Sequence, residues 1–437
     1  MATGHIYSYH NPVDPLCETD GNEAYYTCSV CGKYFDVDYQ ETTLASLTLT
    51  ALGHSYDNGV CTVCGQEDPY ATFSITRVVD ESYVHTGYTV SGAVYTITAA
   101  DTYYLLGELS DGQIVIDVGE DEEVTLKLEG VVISCSTGPC ITVTSAEEVK
   151  ISATSGSEND LYDTRTSTSD ASGGCIYAPC DLQIQGNGSL TVSSTYNNGI
   201  HCTKDLKIKN VTLTVTAENN GIKGNNSVTV ESGTTTVYAT DDGVNAGGST
   251  SSTPYILVTG GTLDVTVGTG DVDGIDSNGT FTQTGGFVIT RNGTSDTSGN
   301  MAALDTDDTV TTSGGTIVAV GTFSNESLPS TSSGNYYVVF GSSSSIGGGM
   351  NGPGGRPGGS SGSFGSSYTF YSGTYTVYCT TTGTSLFTFT LDGTYKNMLI
   401  SSEYFAAGKS YRISNSSGTT TYSWTQGTSS RKTSYSG

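Results

Sequence analysis

The sequence predicts an all-β protein: a right-handed, single-stranded parallel β-helix preceded by a small zinc-ribbon-like module. No segment shows a sustained 3.6-residue apolar period, and from about residue 90 short strand-like runs alternate with Gly, Asn and Asp turns. One pentapeptide pattern recurs after 22 residues from Gly199 to Gly221, and again from Gly221 to Gly243. Such a period suits stacked coils of three short strands. A β-sandwich is the competing fold, but it does not predict this recurrence.

The charge balance excludes several classes of partner. The 437 residues carry 16 Lys and Arg against 44 Asp and Glu, a net charge of −28. A basic face for nucleic acid or for an anionic membrane is therefore not expected. The sequence contains no run of about 20 apolar residues, so no transmembrane segment is predicted. The first residues do not resemble a secretory leader.

Residues 1–70 form the predicted Cys/His-rich module. Two C-x2-C pairs, each preceded by a Gly-His, suggest structural zinc, because two thiolates three residues apart can grip one tetrahedral ion. Eight ligands are available: His5, His10, Cys17, Cys28, Cys31, His54, Cys61 and Cys64. We predict one site from His5, Cys17, Cys28 and Cys31, and a second from His54, Cys61 and Cys64 with His10. A single four-thiolate site and a disulfide framework remain alternatives. Residues 23–35 resemble small CxxCG modules of Gram-positive surface proteins.

Residues 71–343 form the predicted β-helix. Stacking the recurrent pentapeptides places six apolar side chains in one internal ladder: Ile176, Ile200, Ile222, Val244, Ile275 and Leu304. Residues 344–367 are too rich in Gly to bury apolar area and are predicted to be a loop. Residues 368–437 are predicted to be strands that close one end of the tube.

The same stacking brings polar side chains into columns. The residue after each apolar position runs Tyr177, His201, Lys223, Asn245, Asp276 and Asp305, and the residue two before it runs Asn198, Asn220, Asp242 and Asp273. Carboxylates about 5 Å apart repel each other, which a bound cation relieves. Clustered hard oxygen ligands suit Ca²⁺. The alternative is solvated turn aspartates with local capping.

Several segments resemble the carbohydrate-binding β-helix family first defined in cellulolytic clostridia. The resemblance rests on residues 112–117, the Asn-Gly-Ile and Asp-Asp-Gly coils, residues 273–279, the Gly-Pro-Gly loop and residues 399–404, and it spans roughly residues 72–425. It implies a secreted or cell-surface, calcium-bearing protein that binds acidic plant polysaccharide such as polygalacturonate, with cellulose as a second candidate, without cleaving it. The calcium ligands it implies are Asp241, Asp242, Asp271, Asp273, Asp276 and Asp305.

Three functions remain open from the sequence. The first is non-catalytic polysaccharide binding. The second is a calcium-dependent lyase related to pectate lyases, for which Lys223 would be the candidate base. The third is a self-assembling filament or adhesin, since an open β-helix end can accept another chain's strand.

Cysteines within the β-helix allow one further prediction. Cys140 and Cys175 precede Ile141 and Ile176 at equivalent positions. On adjacent coils their Cα atoms would lie about 5 Å apart, inside the range of a disulfide. We therefore consider a Cys140–Cys175 disulfide, with inward-packing thiols as the alternative.

Overall fold

The computed structural model describes residues 4–54, 56–57, 60–61, 63–64, 73–166, 173–248, 253–270, 272–292, 302–321, 328–341, 368–418 and 421–435. The chain divides into two compact units, Met1–Thr72 and Phe73–Gly437. The division falls two residues after the predicted end of the Cys/His-rich module. Among the described residues, no helix is long and apolar enough to cross a membrane.

The first unit consists of short strands and one helical turn. These elements are β1 Tyr7–His10, β2 Gly21–Asn22, β3 Tyr25–Cys28, β4 Tyr34–Phe35, β5 Glu41–Thr42, α1 Leu44–Leu47, β6 Thr48–Leu49, β7 Tyr56–Asp57 and β8 Val60–Cys61. Strands β1, β3, β4 and β5 form an antiparallel sheet. The Thr43 hydroxyl caps α1 by accepting a hydrogen bond from the Ser46 amide at 3.2 Å.

The second unit is mostly a stack of short parallel strands. In chain order they are β9 Ser74–Val79, β10 Ser82–Val84, β11 Tyr88–Ser91, β12 Val94–Ile97, β13 Asp101–Leu109, β14 Gln113–Asp117, β15 Glu123–Cys135, β16 Ile141–Ser145, β17 Glu148–Ala153, β18 Glu158–Asp163, β19 Ile176–Ala178, β20 Asp181–Gly186, β21 Ser189–Ser194, β22 Ile200–Cys202, β23 Asp205–Lys209, β24 Val211–Ala217, β25 Ile222–Gly224, β26 Ser227–Val230, β27 Gly233–Ala239, β28 Val244–Ala246, β29 Tyr255–Val258, β30 Thr262–Val267, β31 Ile275–Ser277, β32 Thr280–Arg291, β33 Leu304–Thr306 and β34 Val310–Val320.

These strands wind into a parallel β-solenoid of about eight turns, which confirms the predicted all-β parallel β-helix. The zinc-ribbon-like character of the first module stays a prediction. Each strand pairs with its equivalent on the next turn, so three stacks of strands line the tube. We call the stack that runs from β12 to β33 the short-strand face. The predicted ladder is confirmed there: Ile176, Ile200, Ile222, Val244, Ile275 and Leu304 are in register and fully buried. The predicted right-handed winding stays a prediction.

Four of the six ladder residues follow a glycine, and these glycines have a packing reason. A Cβ atom on Gly221 would lie 2.2 Å from Cγ1 of Val237, on strand β27 in another wall of the tube, and Cβ atoms on Gly199 and Gly243 would lie at the same distance from Val215 and Val265. The short-strand face therefore approaches that wall too closely for any side chain at these positions.

The last strands close one end of the solenoid. They are β35 Tyr336–Phe340, β36 Thr369–Phe370, β37 Gly373–Cys379, β38 Thr384–Leu391, β39 Tyr395–Lys396, β40 Met398–Ser402, β41 Ser410–Asn415, β42 Thr421–Thr425 and β43 Lys432–Tyr435. Strand β40 pairs antiparallel with both β34 and β35, and an aromatic core that includes Phe340, Phe370 and Trp424 lies beneath. The predicted Gly-rich loop, 344–367, lies outside the described residues.

The cysteines of the solenoid are thiols. Strand β16 pairs with β19, so Cys140 and Cys175 lie on adjacent turns as predicted, and both are fully buried. All 11 cysteines of the chain are free, and the Cys140 thiol donates to the Ile133 carbonyl at 3.5 Å. The predicted disulfide is therefore not formed in this structure, and the two residues pack as small inward-facing side chains.

Candidate functional site

The polar column on the short-strand face has the predicted register. Strand pairing aligns the residue after each ladder position from turn to turn, in the order Tyr177, His201, Lys223, Asn245, Asp276 and Asp305. Three-residue strands buried at both ends leave only their central side chain turned away from the tube. The column therefore becomes more acidic along the stack.

The second polar column is held by hydrogen bonds between turns. The Asn220 amide donates to Asn198 Oδ1 at 2.9 Å, and both side chains are buried. From the next turn on, carboxylates replace these amides, and Asp242 Oδ1 accepts from the Asp273 backbone amide at 2.9 Å. Asp273 in turn accepts from the Ala302 amide. Aspartates here therefore accept backbone donors of the following turn.

Three carboxylates converge where the two columns meet. Asp273, Asp276 and Asp305 each offer an oxygen atom within 4.8 Å of the others, and we call them the carboxylate cluster. Asp273 is only 8% exposed, whereas Asp276 and Asp305 are half-buried. Three acids from two neighbouring turns thus share one small space at the surface of the solenoid.

Asn245 connects this cluster to Asp242. Its side-chain amide nitrogen lies 2.6 Å from Asp276 Oδ2 and 3.0 Å from Asp242 Oδ2, and it donates to both. The Asn245 side chain is 6% exposed, and its Oδ1 accepts no hydrogen bond from the described residues. The sequence placed Asn245 in the column but assigned it no role. Its position between two acidic turns was the available signal.

Burial and mutual repulsion keep the cluster partly protonated. Burial, followed by the charges of Asp305 and Asp242, raises the pKa of Asp273 to about 9. Burial and the charges of Asp242 and Asp305 raise the pKa of Asp276 to about 7. Burial also raises the pKa of Asp242. The site therefore holds its negative charge at an energetic cost near neutral pH.

The other predicted residues lie around this cluster or outside the described chain. Asp241 is half-buried and its charge contributes to the raised pKa of Asp242. Asp271 lies outside the described residues. Half-buried Lys223 occupies the same column, two turns before Asp276, and its positive charge opposes the upward shifts of both Asp242 and Asp276.

The cysteines and histidines of the first unit form two clusters, and two ligands differ from the predicted sets. One cluster contains Cys17, His54, Cys61 and Cys64, and the other contains His5, Cys28 and Cys31. Cys17 therefore does not join His5, because Leu16 and Cys17 accept backbone hydrogen bonds from Leu52 and Gly53, beside His54. The two C-x2-C pairs also lie in different clusters, so the single four-thiolate arrangement is not formed.

His10 lies in neither cluster. Strand β1 runs antiparallel to β3, so Tyr7 is opposite Cys28 while His10 is opposite Tyr25, at the far end of the pair. The His10 ring stacks on Tyr25 with centroids 4.4 Å apart, and its Nε2 lies 2.9 Å from Thr27 Oγ1. His10 therefore does not lie with either cluster, and a zinc-ligand role for it stays a prediction.

Fold and site together define a parallel β-solenoid with an acidic cluster on one face. Residues 91–349, more than half of the chain, match the model of a family described as carbohydrate-binding domain-containing protein, and the chain belongs to that family. A relative of the same description from Acetivibrio thermocellus is 34% identical over 181 residues, which are 40% of this chain and 62% of that protein. The match therefore spans less than two thirds of that relative.

A solved structure is also similar to part of the chain. It is described as the polysaccharide lyase-like protein from C. thermocellum, in a gadolinium derivative. The sequences are 32% identical, the match covers 54% of this chain and 89% of that chain, and the TM-score is 0.41.

Proposed function

We propose that this protein binds an acidic polysaccharide, such as the polygalacturonate of plant cell walls, through Ca²⁺ held by the carboxylate cluster, and that it does not cleave it. The observation that carries the proposal is the convergence of Asp273, Asp276 and Asp305 within 4.8 Å on one face of a carbohydrate-binding solenoid. A secreted or cell-surface location belongs to the same proposal.

The donor set suits calcium. Ca²⁺ takes six to eight oxygen ligands, and three carboxylates supply from three to six of them. Burial, and then repulsion between the carboxylates, raises the pKa values of Asp273 and Asp276, and a bound cation would offset both effects. If the Asn245 amide turned over, its oxygen would face the carboxylates that its nitrogen now contacts, which adds a neutral ligand.

Charge explains why a cation would be needed for this ligand. A protein of net charge −28 repels a polyuronate at low ionic strength. A Ca²⁺ ion that the cluster does not fully coordinate can accept carboxylate oxygens from the glycan as well as from the protein. Binding is then expected to depend on the cation, and to be weak for neutral glycans such as cellulose.

The test measures binding of the full chain to polygalacturonate, with hydroxyethyl cellulose as the neutral comparison. We expect binding with Ca²⁺ and at least a tenfold weaker affinity in excess EGTA or in the Asp273→Asn variant. Asp308→Asn, an exposed acid on the turn of Asp305, is the matched control and should bind as the wild type does. Undiminished polygalacturonate binding in EGTA would refute the calcium bridge.

A calcium-dependent, pectate lyase-like activity is the second candidate. It is favoured by Lys223, which lies in the column of Asp276 about 10 Å away at the strand spacing. A base for β-elimination must reach the proton beside the uronate carboxyl group. Accumulation of unsaturated uronate, followed by its ultraviolet absorbance, and its loss in Lys223→Met would establish the lyase in place of the binding protein.

Self-assembly into filaments is the third candidate, and the strand order favours it least. It requires an open strand edge. In the described part of the chain, β9 pairs antiparallel with β13 at one end of the solenoid, and β40 pairs antiparallel with β34 at the other. These strands cover edges that another chain would otherwise pair with. Ordered fibres under the electron microscope would nevertheless establish it.

A further inference from the structure

The first unit has too small an apolar core to explain its compactness. Of its described residues, the buried hydrophobic ones are Cys17, Cys28, Phe35, Leu47 and Cys61. Three of these five are cysteines, and each belongs to one of the two Cys/His clusters. Domains of this size with little core usually depend on disulfides or a structural metal. All of these cysteines are free thiols, which leaves a metal as the stabilising element.

The distances between ligand atoms match those that a tetrahedral zinc ion imposes. Zn–S bonds of about 2.3 Å and Zn–N bonds of about 2.05 Å place two sulfurs about 3.8 Å apart, and a sulfur and a nitrogen about 3.5 Å apart. In the first cluster, the Sγ atoms of Cys17 and Cys61 are 3.7 Å apart, and Cys64 Sγ lies 3.4 Å from His54 Nδ1.

The second cluster has the same spacing. His5 Nδ1 lies 3.3 Å from Cys28 Sγ and 3.5 Å from Cys31 Sγ. The Val30 amide donates to Cys28 Sγ at 3.4 Å, as amides of a C-x2-C turn do when they stabilise a thiolate. Both clusters thus hold sulfur and nitrogen atoms at the edges of a tetrahedron.

A carboxylate orients one of the histidines toward its cluster. His54 Nε2 lies 3.1 Å from Glu18 Oε1. When Nε2 carries the proton and donates it to Glu18, the lone pair of Nδ1 faces the thiols. Histidines that bind metals usually donate their other ring nitrogen to a carboxylate in this way. Glu18 follows Cys17 directly, so the same segment supplies one ligand and positions another.

We propose that the first unit binds two zinc ions in two different sites. The closed site uses four protein ligands, Cys17, His54, Cys61 and Cys64, which is the coordination typical of structural zinc. The open site uses His5, Cys28 and Cys31, and no fourth His, Cys, Asp or Glu joins them among the described residues. His5 and Cys31 are exposed, so the fourth position takes water or an added small donor.

The ligands of the two sites alternate along the chain. Cys17 of the closed site lies between His5 and Cys28 of the open site. Filling the closed site therefore ties the segment around Cys17 to the segment that ends at Cys64, and encloses the C-x2-C pair of the open site. The two zinc ions are consequently expected to stabilise one fold rather than two independent modules.

The experiment measures zinc in the purified full chain and in single variants. We expect two zinc ions in the wild type, one in Cys17→Ser, one in Cys28→Ser and none in the double variant. Cys379→Ser, which removes a buried thiol of the other unit, is the matched control and should keep two. A double variant that still keeps one zinc ion would overturn the assignment, because it would place both cysteines in one site.

A Co²⁺ titration of the wild type keeps the test independent of whether the variants fold. Two equivalents should bind, with thiolate-to-cobalt absorbance for each, and added imidazole should shift the visible spectrum of only one. A chain that binds no metal, or one in which mass spectrometry finds a Cys17–Cys61 disulfide, overturns the proposal. A single cobalt equivalent, or no response to imidazole, overturns the open site.

Discussion

Replacing Asp273 by Asn should remove a pH dependence of stability that the carboxylate cluster creates. In the metal-free protein the pKa of Asp273 is raised from 3.8 to about 9, chiefly by burial and then by the charges of Asp305 and Asp242. The folded state therefore keeps a proton that the unfolded chain releases between these values. Because the native state binds more protons there, the free energy of unfolding falls as pH rises from about 4 to about 9.

The size of the effect follows from proton linkage. One extra proton in the native state costs about 1.4 kcal/mol of stability for each pH unit of increase. Asp276, with a pKa near 7, adds to this slope between about pH 4 and pH 7. In the Asp273→Asn variant the new carboxamide carries no titrating proton, yet its oxygen can still accept from the Ala302 amide. The slope should therefore decrease by about 1.4 kcal/mol per pH unit in this variant.

The assay is urea unfolding in EGTA at several pH values between 5 and 8.5. The control is Asp308→Asn, whose side chain is exposed and whose slope should equal that of the wild type. Saturating Ca²⁺ should reduce the slope of the wild type, because the cation binds the ionised carboxylates, and should leave the slope of the Asp273→Asn variant unchanged. Equal slopes for wild type and Asp273→Asn in EGTA would refute the argument that a buried proton resides at this site.

Three substitutions test the solenoid itself. Gly221→Ala places a Cβ atom 2.2 Å from Val237 Cγ1 and should lower the unfolding free energy by about 2 kcal/mol. Adding Val237→Ala should recover part of this loss. Strictly additive losses for the two substitutions would contradict the clash. Asn159→Ala removes the acceptor of two backbone amides at 2.9 and 3.0 Å and should cost about 3 kcal/mol in urea unfolding; a loss below about 0.5 kcal/mol would contradict this. Arg165→Met leaves the fully buried Asp163 carboxylate without its ion pair and should cost about 4 kcal/mol, visible as a lower Tm; a companion Asp163→Asn change should restore most of it.

The repeat made the architecture and one site column readable from the sequence. In a parallel solenoid, equivalent residues of neighbouring turns lie one strand spacing apart, so aligning the recurrent pentapeptides gives the register even where the turns differ in length. The ladder from Ile176 to Leu304 and the column that ends at Asp276 and Asp305 followed from this alone. The same alignment placed Cys140 beside Cys175, but adjacency did not decide between a disulfide and two thiols.

The Cys/His-rich unit was less predictable because its ligands do not repeat along one axis. The spacing of the two C-x2-C pairs indicated metal sites. Which other cysteine and histidine join each pair depends on how distant segments of the chain pair with each other. Cys17 joined the second pair because the Leu16 and Cys17 carbonyls accept hydrogen bonds from the Leu52 and Gly53 amides, respectively. The antiparallel register of β1 and β3 places His10 at the end of the strand pair far from Cys28. The order of residues along the chain predicts neither the backbone pairing beside Cys17 nor the register of β1 with β3.

By itself, then, the sequence determined the solenoid, its apolar ladder and the increasingly acidic character of one column, since a pentapeptide that recurs once per turn identifies spatial neighbours. Only the tertiary structure decided which acids converge, how Asn245 connects them, and which cysteine meets which histidine. These depend on burial, side-chain hydrogen bonds and strand crossings, which arise only once distant segments have packed together.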